Sequence, residues 1–271
     1  MEPNYILCDF IFLLGITALI HCNTYSESEM IYNTITKGRN VNIRPVLSQS
    51  HPVQVNVSLF LAYIQEFDEV KGILGLTGRV RVQWRDDTVS WDPWKSKIYS
   101  LTYMNDPFWK PSFPIGSSYD GTNYINKNNM IKRVVYNGDM YWTAAENVQV
   151  TCEADVSKYP FDTHECFLWI VPFGYQESEI SVSHLEDHVR TVWHTPHKIW
   201  ELVHTYVTKE GIPQRLRFYL KIKRHPMFFV LNLILPTCLM SILNVFVFLL
   251  PTHSGERVGY AITVLLAIAV F

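Results

Sequence analysis

Residues 152–166 read CEADVSKYPFDTHEC: Cys152 and Cys166 enclose thirteen residues whose centre carries Tyr159, Pro160, Phe161 and Asp162. Cysteines so spaced join where neighbouring strand ends bring their Cα atoms to roughly 4.4–6.8 Å, and closing such a ring destabilises the unfolded chain by about 3 kcal/mol. The tip is apolar where a solvated loop is polar, so it is expected to press on another surface. The aromatic–proline pair Tyr159–Pro160 suits a cis peptide bond.

The remaining cysteines sort by position. Cys8 and Cys22 flank an apolar run of eleven residues, 10–20. That run is too short to span a bilayer and suits a secretory signal peptide over 1–22, although no Lys or Arg precedes it. Cys238 falls in a lipid-compatible stretch, which leaves Cys152 and Cys166 as the pair of an extracellular domain in an oxidising compartment. The sequon Asn56-Val57-Ser58 agrees with glycosylation there, though such triplets also arise by chance.

A net charge of -2 in 271 residues gives no basic footprint for nucleic acid. Residues 227–250 carry no charge over 24 positions and predict a transmembrane helix, with Pro236 tolerated inside it. After a polar hinge, 252–257, a second uncharged run of fourteen residues reaches Phe271. As a helix it covers about 21 Å, short of the ~30 Å hydrocarbon layer. The second span therefore reads as unfinished, which implies a fragment or an incomplete gene model, a deliberately truncated product being the alternative.

Between signal and membrane, residues 23–225 suffice for one β-sandwich or barrel. Ser26 is placed to cap a helix over 27–36. Strands are predicted at 53–64, 73–84, 132–136, 147–152, 166–171, 180–182, 199–208 and 216–223 from β-branched and aromatic alternation, punctuated by turns such as Asn137-Gly138 and Asp120-Gly121. In the last strand Arg215, Arg217, Lys221 and Lys223 alternate with Leu216, Phe218, Leu220 and Ile222, so one face is buried and the other wet.

Over nearly its whole length the chain resembles the pentameric Cys-loop ligand-gated ion channels of the nicotinic acetylcholine receptor type. The likeness rests on Trp84-x-Asp86 with Trp91-x-Pro93, on Trp109-x-Pro111, on the loop from Cys152 to Cys166, on Arg224-x-Pro226 and on Gly255-Glu256-Arg257, all in the family's order. It implies an extracellular immunoglobulin-like β-sandwich with a short N-terminal helix, followed over 226–271 by an incomplete α-helical membrane domain. That domain would hold a first helix at about 227–250 and part of a pore-lining helix at about 256–271.

The function implied is a neurotransmitter-gated, cation-selective pentameric channel. Five copies of Glu256 would ring the cytoplasmic mouth, concentrating cations, while the same residue also satisfies the rule for an acidic helix start. Thr263 and Leu266 would face the pore, Leu266 closing it by dewetting. Tyr159, Pro160, Phe161, Asp162 and Arg224 would couple the extracellular domain to the channel, with Asp162 and Arg224 paired; the alternative is two solvated surface charges.

For the ligand, the resemblance implies an aromatic cage, because ring faces attract a desolvated cation. Trp84 matches the complementary-face tryptophan, with packing in the sandwich as the alternative. The principal face departs from the family's pattern. Ile115 and Gly116 stand where a tyrosine is expected, Ser112 replaces an aspartate and Phe173 replaces the central tryptophan. The hairpin tip lacks vicinal cysteines, and Pro213 falls about where the last cage tyrosine belongs. Tyr175 and Tyr206 complete the partial cage.

Expected partners are therefore a small neurotransmitter (acetylcholine or another amine), homologous subunits in a homo- or heteropentamer, a plasma and postsynaptic membrane, and permeating monovalent cations and calcium. No cofactor or metal site is expected. His184 and His188, followed by His194 and His197, have a zinc-like spacing only if helical, and Thr195-Pro196 argues for a loop. The glycines and nucleophiles match no enzyme motif. A membrane-tethered decoy or accessory subunit that completes no pore is the second reading.

Overall fold

A computed structural model describes residues 25–115, 123–124, 130–172, 174–211, 214–249 and 256–270; the expected signal segment, Phe173, Pro213 and the Asp120-Gly121 turn lie outside these. The chain opens with helix α1 (Tyr25–Thr36) and continues through β1 (Val53–Asp68), β2 (Ile73–Arg85), a single helical turn α2 (Pro93–Ser96), β3 (Ser100–Tyr103), β4 (Pro114–Ile115) and β5 (Asn123–Tyr124). There follow β6 (Lys132–Val135), β7 (Asp139–Thr151), β8 (Thr163–Ile170), β9 (Ile180–His184), β10 (Trp200–Glu210) and β11 (Arg215–Arg224). Two apolar helices follow, α3 (Met227–Val245) and α4 (Glu256–Val270).

The strands form two sheets, ordered β3-β6-β7-β2-β1-β9 and β10-β11-β8-β4-β5. Strand alternation turns Val55, Val57 and Leu61 of β1, Val80, Val82 and Trp84 of β2 and Trp142 and Val150 of β7 inward. They meet Leu168 and Ile170 of β8 and Phe218, Leu220 and Ile222 of β11, all essentially excluded from solvent. This is the expected β-sandwich: each sheet buries one apolar face against the other.

Several boundaries move. Helix α1 already includes Tyr25, so Ser26 lies in the first turn and not at the cap. Strand β7 starts at Asp139, eight residues before the expected 147, because it pairs along all of β2 from Ile73–Thr151 to Arg85–Asp139. The Asn137-Gly138 turn feeds it, Gly138 taking φ 88° where an added Cβ would lie 2.3 Å from the Asp86 carbonyl oxygen. Only glycine fits such a turn. The short strands β3, β4 and β5 carry too few residues to show a period.

The signature around Trp84 is structural. Asp86 accepts from the Thr88 backbone N–H at 2.8 Å and pairs with Arg39, just beyond α1, at 3.3 Å. Asp92 caps α2 by accepting from the Trp94 N–H at 2.9 Å.

Helix α3 is expected to 250; the α-helical span ends at Val245 and a 3₁₀ turn, Phe246–Leu249, continues it. Pro236 has no N–H for the turn before it, and the chain there widens into a π turn, Val230–Ile234. Three polar side chains of α3 fold back on the backbone. Asn232 donates to the Phe228 carbonyl at 2.9 Å, Thr237 to Leu233 and Ile234 at 2.8 Å, and Ser241 to Thr237 at 2.9 Å. Each thereby donates to the backbone of its own helix and not to water, as a hydrocarbon surrounding favours.

Candidate functional site

The disulfide loop, the turn between β1 and β2 and the head of α3 converge at one end of the sandwich. Cys152 follows β7 in one sheet and Cys166 lies in β8 of the other; they are bonded, with Cα atoms 4.9 Å apart, so the bridge clips the two sheets together. Both sulfurs' residues are buried. The Cys152 N–H also donates to the Gly72 carbonyl at 2.8 Å, tying the clip to the β1–β2 turn. The Tyr159–Pro160 peptide is cis, as the pair suggested.

At the centre stands Arg224, the last residue of β11, only 3% exposed. Its Nε and Nη2 donate to the two oxygens of Asp162 at 2.7 and 2.9 Å, a fork matched to a carboxylate, while Nη2 also reaches Glu69 at 2.6 Å. Trp200, Tyr159 and Phe229 surround the guanidinium with ring centroids at 4.3, 4.8 and 5.0 Å. His164 bonds the Asp162 carboxylate through Nε2 and packs edge-on against Phe67 and Trp200. Burial alone would raise the pKa of Asp162; donors from Arg224 and His164 outweigh it and hold the carboxyl at about 2. Arg224 is in turn held above its ordinary value by Asp162 and Glu69, against the opposing effect of burial.

One cation thus joins three segments: Asp162 of the disulfide loop, Glu69 of the β1–β2 turn and Phe229 on the first turn of α3. Tyr159 makes the second contact with the helix, edge-on to Phe229 at 5.3 Å. Phe161 is 61% exposed and free to meet a further surface, and Pro160 is buried. Sequence reasoning reached Asp162 and Arg224 but not Glu69, His164, Trp200 or Phe229; a buried arginine at the mouth of an apolar span is the signal that asks for a second carboxylate.

The aromatic residues expected to cage a ligand do not share one cavity among the described residues. Trp84 is 2% exposed and lies inside the sandwich, its ring edge-on to Trp109 at 6.3 Å. It is a packing residue of this subunit, and β2 turns Arg79, Arg81 and Gln83 outward instead. Trp109, itself buried, meets Tyr175 edge-on at 6.5 Å. Tyr175 is half-buried and lines a cleft of about 580 Å³ with Arg44, Phe108, Trp109, Lys110 and Glu179. Tyr206 stands elsewhere, stacked on Tyr219 at 4.4 Å. Replacing Trp84 by Phe should lower the melting temperature, large core truncations costing about 3–5 kcal/mol at the extreme of alanine. An unchanged melting temperature would remove Trp84 from the packed core.

His184 closes β9 and is not helical, so the helical spacing with His188 does not form. His197 Nδ1 accepts from the N–H groups of Ile199 and Trp200 at 3.1 Å, and Glu186 pairs with Arg190. Asn56 sits mid-strand in β1, half-buried, accepting from the Ser183 hydroxyl at 3.0 Å.

In α4, Tyr260 donates to the Leu243 carbonyl of α3 at 2.9 Å and Val264 is buried, defining the face turned to α3. Glu256, Thr263 and Leu266 fall on the exposed side, separated by seven and three residues. Thr263 donates to the Gly259 carbonyl at 2.8 Å.

The model of the neurotransmitter-gated ion-channel ligand binding domain matches residues 28–226, and that of the neurotransmitter-gated ion-channel transmembrane region matches 233–271. The chain is 30% identical over 256 residues to acetylcholine receptor subunit beta-type acr-3 of Caenorhabditis elegans, covering 93% of this chain and 52% of that relative. It is 30% identical over 272 residues to neuronal acetylcholine receptor subunit alpha-6 of Mus musculus, covering 96% and 55%. The chain spans about half the length of the curated relatives it matches. A sandwich clipped by Cys152–Cys166 and joined through Arg224 to an apolar helix is what the first family model covers and the second continues, and the chain belongs to the neurotransmitter-gated ion-channel family.

Proposed function

We propose that this chain is a subunit of a neurotransmitter-gated, cation-selective pentameric channel of a plasma membrane, coupling ligand binding at subunit interfaces to opening of a pore. The observation that carries this reading is the Arg224 junction. A displacement of the sandwich acts on the β1–β2 turn and the disulfide loop, and both are bonded to the residue that leads into α3. Gating is then a shift between closed and open states, biased by the ligand that prefers one of them. Homologous subunits assemble with it in a homo- or heteropentamer at a postsynaptic site.

The cleft beside Tyr175 is the proposed place for an amine such as acetylcholine, with Glu179 as a carboxylate at its rim. Glu256 at the head of α4 is the proposed selectivity charge, and Thr263 with Leu266 the pore stripe, passing monovalent cations and calcium. Expressing the protein with nicotinic α-type subunits and recording currents under a panel of transmitters tests the reading. Glu256→Lys should move the reversal potential toward that of chloride; an unchanged potential removes Glu256 from the selectivity ring.

A further inference from the structure

Three imidazoles line one cavity beside the Arg224 junction, and the coupling of sandwich to helix uses none of them. The cavity, of about 260 Å³, has His194, His197, Trp200, Glu201 and His225 on its wall. These come from the loop 185–199 after β9, the first residues of β10 and the residue that follows β11. His197 works there as an acceptor. Its Nδ1 takes the backbone N–H groups of Ile199 and Trp200, both at 3.1 Å, and so holds the chain where it enters β10. The Ile199 carbonyl then accepts the His225 N–H at 2.7 Å, which fastens the same turn to the neighbour of Arg224.

A ring nitrogen that accepts two N–H groups is unprotonated, so the neutral imidazole of His197 carries its proton on Nε2. A second proton can enter only at Nδ1, where it would point at two donors. The closed turn and the imidazolium therefore exclude each other. The surroundings act in the same direction: burial first, and then the facing imidazole of His225, hold His197 below the ordinary 6.5. Glu201 shares the cavity but does not reverse that balance. His194 is also held down by burial, against the pull of the Ala62 carbonyl, and its Nδ1 is shut from solvent with no hydrogen-bond partner among the described residues. Trp200, whose N–H the turn fixes, packs on the Arg224 guanidinium at 4.3 Å and edge-on to His164 at 5.4 Å.

We propose that the His197 turn is a proton-operated latch on the Arg224 junction: closed at neutral pH, it holds Trp200 against the guanidinium, and in mild acid it opens and loosens the junction. Protonation ejects the ring from the turn and leaves the N–H groups of Ile199 and Trp200 without their acceptor, so β10 frays from the end that carries Trp200. The sign follows from linkage. A histidine that binds its proton less readily in the folded chain than in the unfolded one contributes stability in full above about pH 6.5 and loses it as the pH falls below that value. The latch is a property of the folded chain; its effect on currents rests on the proposed coupling role of Arg224.

Hydrogen exchange of the full protein in lipid nanodiscs, followed from about pH 7.5 to about pH 4.5 with labelling times scaled to the intrinsic rate, reads the peptide spanning 197–202. Wild-type protection at Ile199 and Trp200 should fall by roughly tenfold or more across that range, with its midpoint below 6.5. In His197→Asn protection should stay level, because the Asn carbonyl still accepts and does not titrate. His225→Gln removes the facing imidazole and should move the midpoint upward. Unchanged wild-type protection overturns the latch, and so does an equal acid loss in His197→Asn, which would assign it to His164 or His194. Should His197→Asn fail to fold, an unmoved midpoint in His225→Gln overturns it instead. Agonist currents over the same range should fall in wild type and hold in His197→Asn; a fall of equal size in both removes the link to gating. A latch that titrates in a protein giving no current at any pH refutes the channel reading and leaves the latch standing.

Discussion

Arg224→Met is expected to eliminate folded receptor from the cell surface, the largest effect of any single substitution in the extracellular domain. Removing one partner of a buried ion pair leaves uncompensated charge and costs about 3–5 kcal/mol, and here two carboxylates, Asp162 and Glu69, lose the same partner. Arg224→Lys should rescue only partly, since one ammonium cannot supply the fork to Asp162 and the branch to Glu69 together. Exchanging the charges, Asp162→Arg with Arg224→Asp, restores a pair but sets Glu69 against a new carboxylate. The swap should therefore recover less surface protein than the swap combined with Glu69→Gln. Surface biotinylation of the four variants gives the order, and a swap as good as the triple variant would remove Glu69 from the network.

The same junction fixes a pH window. The Asp162 carboxyl is depressed from an ordinary value of 3.8 to about 2, so its contribution to stability is full above pH 4 or so and is lost as the pH falls through about 2. Between pH 5 and 8 this carboxyl contributes no slope to stability, and any acid sensitivity of the intact chain in that range arises at other groups.

Much of this arrangement was legible from residue order alone. The alternation in β11, the charge-free run of α3 and the paired cysteines each follow from a local period or spacing, and each is present, α3 ending at Val245 short of the expected 250. What escaped was set by contacts distant in sequence. Glu69 and Arg224 lie 155 positions apart, and nothing near Glu69 marks it as a partner. Strand β7 was cut short because its first half mixes Tyr141, Thr143 and Ala145 with buried Met140, Trp142 and Ala144, a weak contrast that pairing with β2 resolves. Trp84 is instructive, because its burial follows the second of the two readings its sequence allowed. Family likeness pointed to the ligand, yet the alternation Arg79, Val80, Arg81, Val82, Gln83, Trp84 already turned it inward with the valines. Period two was the stronger signal, and it also turned Arg79 and Arg81 outward.

Removing the disulfide is the second large perturbation, and its consequences separate stability from coupling. Replacing Cys152 and Cys166 together by Ser releases a ring whose closure is worth about 3 kcal/mol, enough to consume a large part of a domain's stability. The loss falls where the two sheets meet, because Cys152 continues β7 while Cys166 belongs to β8. It also frees the loop that carries Asp162, so the Arg224 cluster should loosen although every member is still present. Proteolysis of the variant in membranes should therefore cut first within 153–165, before the strands, while the wild type resists there. Lowering the temperature or adding a ligand for the Tyr175 cleft should restore folded protein, because both act on global stability, but should not restore the resistance of the loop. Cleavage beginning instead in the hairpin of β10 and β11 would mean that the sulfur bridge holds the sandwich as a whole and that the loop is positioned by Asp162 and Tyr159 alone.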